Sequence, residues 1–163
     1  MPKNLNSDIT KLITKYLSIR EHSKLELHNK LTQKGHDSND ISDCIDEFSS
    51  KDIQSDTRFT EEFIRSKLKK NKGPRLVSSE LTTRGISDSL INKKISEISY
   101  QDWCKAALKA LVKKLHGASV SIDNKDKIYS FLISRGFDHK MIKYALDEHC
   151  LLYTSDAADE RLR

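Results

Sequence analysis

Three six-residue stretches decide the fold: LTQKGH at residues 31–36, LTTRGI at 81–86 and LISRGF at 132–137. In each stretch a leucine lies four residues before a glycine, and a basic residue lies just before that glycine. The three glycines, Gly35, Gly85 and Gly136, are 50 and 51 residues apart. Self-similarity at a fixed period is the sequence signature of a repeat protein. The chain is therefore predicted to contain three copies of one structural unit.

Apolar residues around each glycine recur at helical spacing. They lie eight and four residues before it and six and ten residues after it: Leu27, Leu31, Ile41 and Ile45; Val77, Leu81, Ile91 and Ile95; Ile128, Leu132, Ile142 and Leu146. Residues four apart share one face of a helix, and a glycine ends a helix readily because it adopts a left-handed conformation at little cost. Each copy is thus predicted to hold a helix, a glycine turn and a second helix. The second helix is expected to open on a capping side chain: Asp37 or Ser38, Ser87 and Asp138.

A third helix is predicted before each pair, because apolar residues also recur every three to four positions upstream of the pair. The capping box Ser23-Lys24-Leu25-Glu26 opens the second helix of the first copy, and Gly73-Pro74 separates the first two helices of the second copy. The fold class is therefore all-α, with three tandem three-helix repeats at 8–48, 56–98 and 101–150 forming an elongated, curved array. Residues 151–163 do not fit the repeat, and Thr154–Glu160 within them has no apolar face to bury. They are expected to be a frayed tail or a segment foreign to the fold.

Composition excludes several classes of protein. The chain has 163 residues, of which 36% are hydrophobic and 33% charged, and it has no apolar run near the roughly twenty residues that a membrane helix needs. Its first seven residues do not resemble a secretory signal. The three cysteines, Cys44, Cys104 and Cys150, are far apart, which favours a reducing compartment over a disulfide framework. A cytoplasmic protein is expected.

Nothing in the sequence indicates catalysis. The phosphate-loop, dinucleotide-binding and nucleophile-elbow motifs are absent, and no two of the six histidines are three or four residues apart. A group of acids at Asp40, Asp43, Asp46 and Glu47 falls on the outward side of its predicted helix, where it is interpreted as a solvated face. We expect no enzyme activity, no metal site and no cofactor.

Basic residues are concentrated in two places, while the chain as a whole carries a net charge of +5. The first, here called the basic cluster, has six bases and no acid: Arg65, Lys67, Lys69, Lys70, Lys72 and Arg75. The second, here called the lysine stripe, recurs every four residues along one predicted helix: Lys105, Lys109 and Lys113. Such surfaces are either simply solvated or bind phosphates or an acidic partner. The amides that open the fifth helix near Arg75 are expected to add to the positive potential.

Four segments together resemble the bacterial RecX family, whose members regulate the RecA recombinase. They are Tyr16-Leu17-Ser18-Ile19-Arg20-Glu21-His22-Ser23 with Glu26-Leu27, the turn Lys34-Gly35, Asp56-Thr57-Arg58-Phe59-Thr60-Glu61-Glu62-Phe63, and Gly73-Pro74-Arg75-Leu76 with Arg84-Gly85-Ile86. The third copy resembles the family less strongly, through Phe131-Leu132 and Arg135-Gly136-Phe137. The order and spacing of these motifs are more specific than any one of them.

The resemblance implies a non-enzymatic protein that binds RecA filaments on single-stranded DNA and lowers the recombinase, ATPase and co-protease activities of RecA. Contact with the single-stranded DNA itself is expected to be indirect or weak. A monomer is expected, because no heptad seam in the sequence indicates self-association. The basic cluster and the lysine stripe are the expected partner- and nucleic-acid-binding residues. Arg58 and Glu21 lie in matching motifs, and Arg58 is expected either to pair with an acid inside the fold or to contact RecA.

The alternative function is that of a free-standing DNA-binding protein that uses its helix-turn-helix-like pairs. The second helix of each pair would then enter a major groove. In the first pair this helix carries Asp40, Asp43 and Asp46, which phosphates would repel, whereas the helix with Asn92, Lys93 and Lys94 suits DNA better. A helical scaffold for some other partner also remains open.

Overall fold

A computed structural model describes the backbone of residues 4–161 and the side chains of residues 4–152. Over these residues, helices are the only regular secondary structure, and turns and loops join them. Nine helices follow one another: α1 (Ser7–Ile19), α2 (Lys24–Gln33), α3 (Ser38–Ser50), α4 (Asp56–Lys69), α5 (Pro74–Thr83), α6 (Asp88–Ser96), α7 (Tyr100–Leu115), α8 (Lys125–Ser134) and α9 (His139–Arg161). They form three successive triplets, which confirms the all-α class and the three-helix repeat.

The same glycine turn joins the second and third helices of every triplet. Gly35, Gly85 and Gly136 have φ angles of +86°, +79° and +98°. The amide that follows each glycine donates to the carbonyl of the leucine four residues before the glycine, at distances of 3.2–3.3 Å. This bond, together with the left-handed glycine, is the Schellman arrangement that ends a helix. It explains why the leucine and the glycine recur at one offset.

Side-chain caps begin the helices that follow these turns, as the sequence predicted. The Asp37 side chain accepts hydrogen bonds from the Asn39 and Asp40 amides. The hydroxyl oxygen of Ser87 accepts from Leu90, and the carboxylate of Asp138 accepts from the Met141 amide at 2.8 Å. Ser23 and Glu26 form the reciprocal capping box at the start of α2. Each cap satisfies an amide that has no partner inside its helix.

The chain packs as two compact units whose boundary runs through the middle triplet. The first unit holds the residues up to Phe63 together with Glu80–Asn92. The second holds Ile64–Ser79 and the residues from Lys93 onward. The repeat boundaries at 8–48, 56–98 and 101–150 describe the helix triplets, and the division of the chain into three domains stays a prediction.

Each unit has a core built from the recurring apolar positions. In the first unit the buried cluster is Ile9, Ile13, Leu27, Leu31, Ile41, Cys44, Ile45 and Phe48. In the second unit α7 packs along α9, and its buried side is rich in alanine, which lets two helices approach closely. The buried residues there include Trp103, Ala107, Ala110, Leu111, Phe137, Met141, Ile142 and Ala145.

The last helix is longer than expected. It continues to Arg161, whereas the sequence placed the end of the third repeat at 150. Leu151 and Leu152 are 64% and 56% exposed, so burial of these side chains is not what extends the helix. Whether 151–163 is foreign to the fold stays a prediction, and its last two residues lie outside the described part of the chain.

Over the described residues, no helix is both long and apolar enough to cross a bilayer.

Candidate functional site

The basic cluster and the lysine stripe belong to one compact unit. The cluster covers the end of α4, the connecting turn and the start of α5, all of it within Ile64–Ser79. The stripe lies on α7, in the same unit. Seven of the nine side chains are exposed, and two, Lys67 and Lys72, are half-buried. Two groups of bases that are 30 residues apart in sequence are therefore carried by the same folded body.

The lysine stripe follows the outer side of α7. Lys105, Lys109 and Lys113 are exposed, while Ala106, Ala107, Ala110 and Leu111 between them are buried. The apolar residues of α7 pack inward, so the lysine heads extend into solvent. This is the orientation that the spacing predicted, and whether these lysines bind a partner stays a prediction.

The two groups meet at a surface pocket of about 260 Å³. Lys70, from the cluster, and Lys113, from the stripe, both line it. The other charged or aromatic lining residues are Lys114, His116, Phe131 and Arg135, from the ends of α7 and α8. The remaining seven predicted residues do not line the pocket: Arg65, Lys67, Lys69, Lys72, Arg75, Lys105 and Lys109.

Phe131 contacts two basic side chains, a role that the sequence did not indicate. It is half-buried, and both the Lys114 ammonium nitrogen and the Arg135 guanidinium carbon lie 4.9 Å from the centroid of its ring. A similar contact joins Arg84 to Phe63 at 4.7 Å. In both cases the base precedes a turn glycine, but the aromatic residue lies at a different sequence offset each time. No periodicity could have located it.

Two backbone amides at the start of α5 donate hydrogen bonds within the fold. The Arg75 amide donates to the Gly136 carbonyl at 3.0 Å, and the Gly73 amide donates to the Arg135 carbonyl at 2.7 Å. The expected addition of the α5 amides to the positive potential stays a prediction, but neither of these two amides is available to bind an anion. The physical reason is a close packing contact, since a Cβ at residue 136 would lie 2.5 Å from the Leu76 nitrogen.

Arg58 pairs inside the first unit. Its Nε donates to Glu21 at 2.9 Å, and one terminal nitrogen donates to the carbonyls of Asp52 and Ile53 at 2.8 and 3.1 Å. The hydrogen bond to Glu21 raises the pKa of Arg58 above its ordinary value. Of the two roles left open by the sequence, internal pairing is the one that this geometry supports.

Arg20 and His22, from the segment between Tyr16 and Ser23, also make contacts inside the fold. Arg20 makes a two-pronged contact with the Glu26 carboxylate at 3.2 and 3.0 Å. Burial raises the pKa of Glu26, but the hydrogen bonds from Arg20 and the Ser23 amide outweigh it and hold that pKa below its usual value. His22 is buried, and its Nε2 lies 3.0 Å from the Lys30 ammonium. These contacts stabilise the unit.

The acidic residues of α3 lie at or near the surface of the helix. Asp40 and Asp46 are exposed on α3, and Asp43 and Glu47 are half-buried there. Across the described part of the chain, no group of three or more histidine, cysteine, aspartate or glutamate side chains is placed to hold a metal ion. The chemistry available at the candidate surface is therefore the binding of anions by lysine and arginine.

Two family models match the chain. The first three-helix domain of RecX matches residues 14–48, and the second three-helix domain of RecX matches residues 55–94. These ranges correspond to the first two helix triplets, although the first begins inside α1 and both end two residues before the triplet does.

Whole-chain relatives lead to the same family. The Regulatory protein RecX of Acinetobacter baylyi is 37% identical over 132 residues, which is 80% of this chain and 80% of that protein. The Regulatory protein RecX of Chromohalobacter salexigens is 33% identical over 130 residues, covering 80% of this chain and 85% of its relative. Among solved structures, the crystal structure of RecX from Lactobacillus salivarius superposes with a TM-score of 0.75 at 21% identity, covering 89% of this chain and 96% of that one. This last likeness shows a shared fold.

Proposed function

The chain belongs to the RecX family of regulatory proteins, and from that premise we propose that it is a non-enzymatic regulator that binds RecA filaments on single-stranded DNA. Binding opposes filament growth or promotes filament loss. The recombinase, ATPase and co-protease activities of RecA then fall together, because all three need the filament. The observation that carries the proposal is the match to proteins called Regulatory protein RecX over about four fifths of the chain. A regulator of this kind acts in the cytoplasm, where the filaments form.

The charge distribution supports a surface for this task. All nine residues of the basic cluster and the lysine stripe are in the second unit, and most of their side chains are exposed. Lysines and arginines concentrated on one body attract acidic protein surfaces and phosphates, and both are present on a nucleoprotein filament. We assign the contact with the filament to these residues. No bond is made or broken by this chain.

The proposal is tested by RecA ATPase on single-stranded DNA with and without the protein. The wild-type chain is expected to lower the rate in a concentration-dependent way. A variant that changes Lys69, Lys70, Lys72 and Arg75 to glutamate reverses four charges of the cluster. It is expected to need at least about tenfold more protein for half-inhibition, because like-charge contacts at an interface cost several kcal/mol.

The matched control changes Lys125, Lys127, Lys140 and Lys143 to glutamate, since these four exposed lysines lie in the same unit on α8 and α9. It alters the net charge by the same amount and is expected to inhibit nearly as well as the wild type. Circular dichroism establishes that both variants are folded. Undiminished inhibition by the folded cluster variant would exclude the basic cluster as the contact. A wild-type chain that leaves the ATPase unchanged would contradict the proposed function itself.

A further inference from the structure

The pocket at the ends of α4, α7 and α8 is lined by basic side chains and by no acidic one. Lys70, Lys113, Lys114 and Arg135 carry full positive charges at neutral pH, and none of the charged or aromatic lining residues is an acid. No ion pair joins any of these four to a carboxylate within the described residues. Four cations around one pocket without a carboxylate partner are unfavourable unless something offsets their repulsion.

Helix ends offset this repulsion only in part. Lys70 follows the last residue of α4, His116 follows the last residue of α7, and Arg135 follows the last residue of α8. The carboxyl end of a helix carries about half a negative charge. Three such ends are therefore weaker than four full cationic charges, and the pocket keeps an excess of positive charge. A simple role in capping helix ends does not account for that excess.

Phe131 lies beside two of these charges. Lys114 and Arg135 each lie 4.9 Å from its ring centroid, so the two charged groups are separated by at most twice that distance. The negative face of an aromatic ring attracts a cation and restrains its side chain. Because the ring is engaged by cations, it is not an open platform for stacking a base. The pocket is therefore suited to a compact anion and not to an aromatic ring.

We propose that the pocket lined by Lys70, Lys113, Lys114, His116, Phe131 and Arg135 binds a phosphate group. Arginine matches the oxygens of a phosphate in two-pronged geometry, lysine binds phosphate as a point charge, and the histidine ring adds a hydrogen-bond donor. A volume of about 260 Å³ holds a phosphate with part of the molecule that carries it. The phosphate comes either from a free nucleotide or from a nucleic-acid strand. The proposal does not depend on RecA, although Lys70 and Lys113 also belong to the surface assigned to the filament.

The test is titration of the isotope-labelled full chain, without RecA, followed by amide and side-chain NMR shifts. The probes are inorganic phosphate, ATP and an oligothymidylate, each compared with sodium chloride at equal ionic strength. Saturable shifts confined to the residues around Lys70, Lys114 and Arg135 are expected with inorganic phosphate. Tighter binding of ATP than of the oligonucleotide assigns the pocket to a free nucleotide, and the reverse order assigns it to a strand. Shifts spread evenly over the surface lysines, or reproduced by chloride, would overturn the proposal.

Two variants make the test quantitative. The double change Lys114→Gln and Arg135→Gln removes both cations held by Phe131 and is expected to weaken phosphate binding by about tenfold or more, since hydrogen bonds to charged groups are among the stronger ones. The control is the double change Lys127→Gln and Lys143→Gln, which removes two exposed charges of the same unit from α8 and α9, outside the pocket, and is expected to change binding less than twofold. Equal weakening by both would show a response to net charge alone and would contradict a defined site. If the double variant does not fold, the location of the wild-type shifts still decides the matter.

Discussion

Arg58 connects two loops of the first unit that are far apart in sequence. It holds Glu21, between α1 and α2, and the carbonyls of Asp52 and Ile53, which follow α3. Asp52 itself has a positive φ of 58°, a conformation that a non-glycine residue keeps only with support from its surroundings. Arg58 supplies that support. Its place in a family-like motif is thus explained by folding.

The change Arg58→Ala is expected to destabilise the protein by about 1–2 kcal/mol, a range that allows for solvent screening of a side chain that is 37% exposed. The measurement is urea unfolding followed by circular dichroism. Arg58→Lys keeps the charge without the planar fork and is expected to restore less than half of the loss. A variant of unchanged stability that inhibits RecA poorly would instead place Arg58 at the interface.

His22 is buried as a neutral ring. Its Nδ1 lies 2.9 Å from the Arg20 carbonyl, and its Nε2 faces the Lys30 ammonium, so the proton resides on Nδ1. Burial lowers the pKa of His22 below its ordinary value of 6.5, and the nearby positive charges of Arg20 and Lys30 act in the same direction, against a smaller opposing effect of Glu26 and the carbonyl bond. Protonation would set three positive groups against each other.

The pH dependence follows from this lowered pKa. The unfolded chain takes up the proton on His22 near pH 6.5, while the folded chain does not. The contribution of neutral His22 to the free energy of unfolding is therefore fully present above pH 6.5, and it declines as the pH falls towards the lowered pKa. Urea unfolding at pH 7.5 and at successive steps below 6.5 measures the decline. The loss is expected to be smaller in His22→Gln, while His36→Gln at the α2–α3 turn is expected to keep it. Equal declines in all three proteins would show that other groups are responsible.

The glycine turn is the element that the three repeats share, yet its surroundings differ between copies. Apart from its chain neighbours, no described residue has a heavy atom within 4 Å of a Cβ built at Gly35. At Gly85 such a Cβ would lie 2.7 Å from the Leu25 Cβ, at the start of α2, and at Gly136 it would lie 2.5 Å from the Leu76 nitrogen, at the start of α5. In both cases the second helix of one repeat begins against the turn of the next repeat. Among the described residues, no helix start lies against the first turn in this way.

Alanine at the three glycines therefore has unequal effects. Gly35→Ala is expected to cost about 1 kcal/mol, which is the price of a left-handed alanine. Gly85→Ala and Gly136→Ala add steric overlap and are expected to cost at least about 2–3 kcal/mol, with Gly136 the most sensitive because it meets backbone. Thermal and urea unfolding of the three variants give the order. Equal losses at all three positions would mean that conformation alone sets the need for glycine.

Hydrogen bonds also join the start of the second helix of one repeat to the glycine turn of the next. The Ser23 hydroxyl at the start of α2 donates to the Arg84 carbonyl at 2.8 Å, and the Gly73 amide before α5 donates to the Arg135 carbonyl at 2.7 Å. Both acceptors belong to the basic residue just before a turn glycine. The recurring base is thus a contact point between repeats through its backbone, as well as a cation near a helix end.

At the scale of the whole molecule, charge is sorted between the two units. The second unit carries the basic cluster and the lysine stripe, whereas the acids of α3 are in the first. A molecule with this distribution is expected to bind anionic polymers through its second unit. Direct entry of α3 into a DNA groove is disfavoured, since Asp40 and Asp46 are exposed there. The alternative of a free-standing DNA-binding protein is therefore best tested without RecA.

Binding to oligothymidylate in the absence of RecA is expected to be weak and strongly salt-dependent. If the six bases of the cluster contact phosphates, the log–log slope of affinity against salt is about −4, and it falls to about −1 when four of them are changed to glutamate. Fluorescence anisotropy over a series of salt concentrations measures both slopes. Nanomolar, sequence-selective binding to duplex DNA at physiological salt would favour the alternative. A slope near zero would leave the cluster with protein contacts only.

The sequence by itself determined the helices, their caps and their turns. The Schellman bonds at Gly35, Gly85 and Gly136 and the caps at Asp37, Ser87 and Asp138 join residues at most five positions apart. Such interactions depend on local geometry, so a recurring pattern is enough to predict them. The direction in which the lysine stripe faces follows in the same way, from helical periodicity.

Only the tertiary structure decided which charged residues form ion pairs within the fold and which line the pocket. Arg58 and Glu21 are 37 positions apart, and the pocket joins α4, α7 and α8 through Lys70, Lys114 and Arg135. The use of the α5 amides by the Arg135–Gly136 turn is equally long-range. The physical reason is that electrostatic attraction and packing depend on distance in space, and a short sequence pattern carries no information about which distant segments become neighbours.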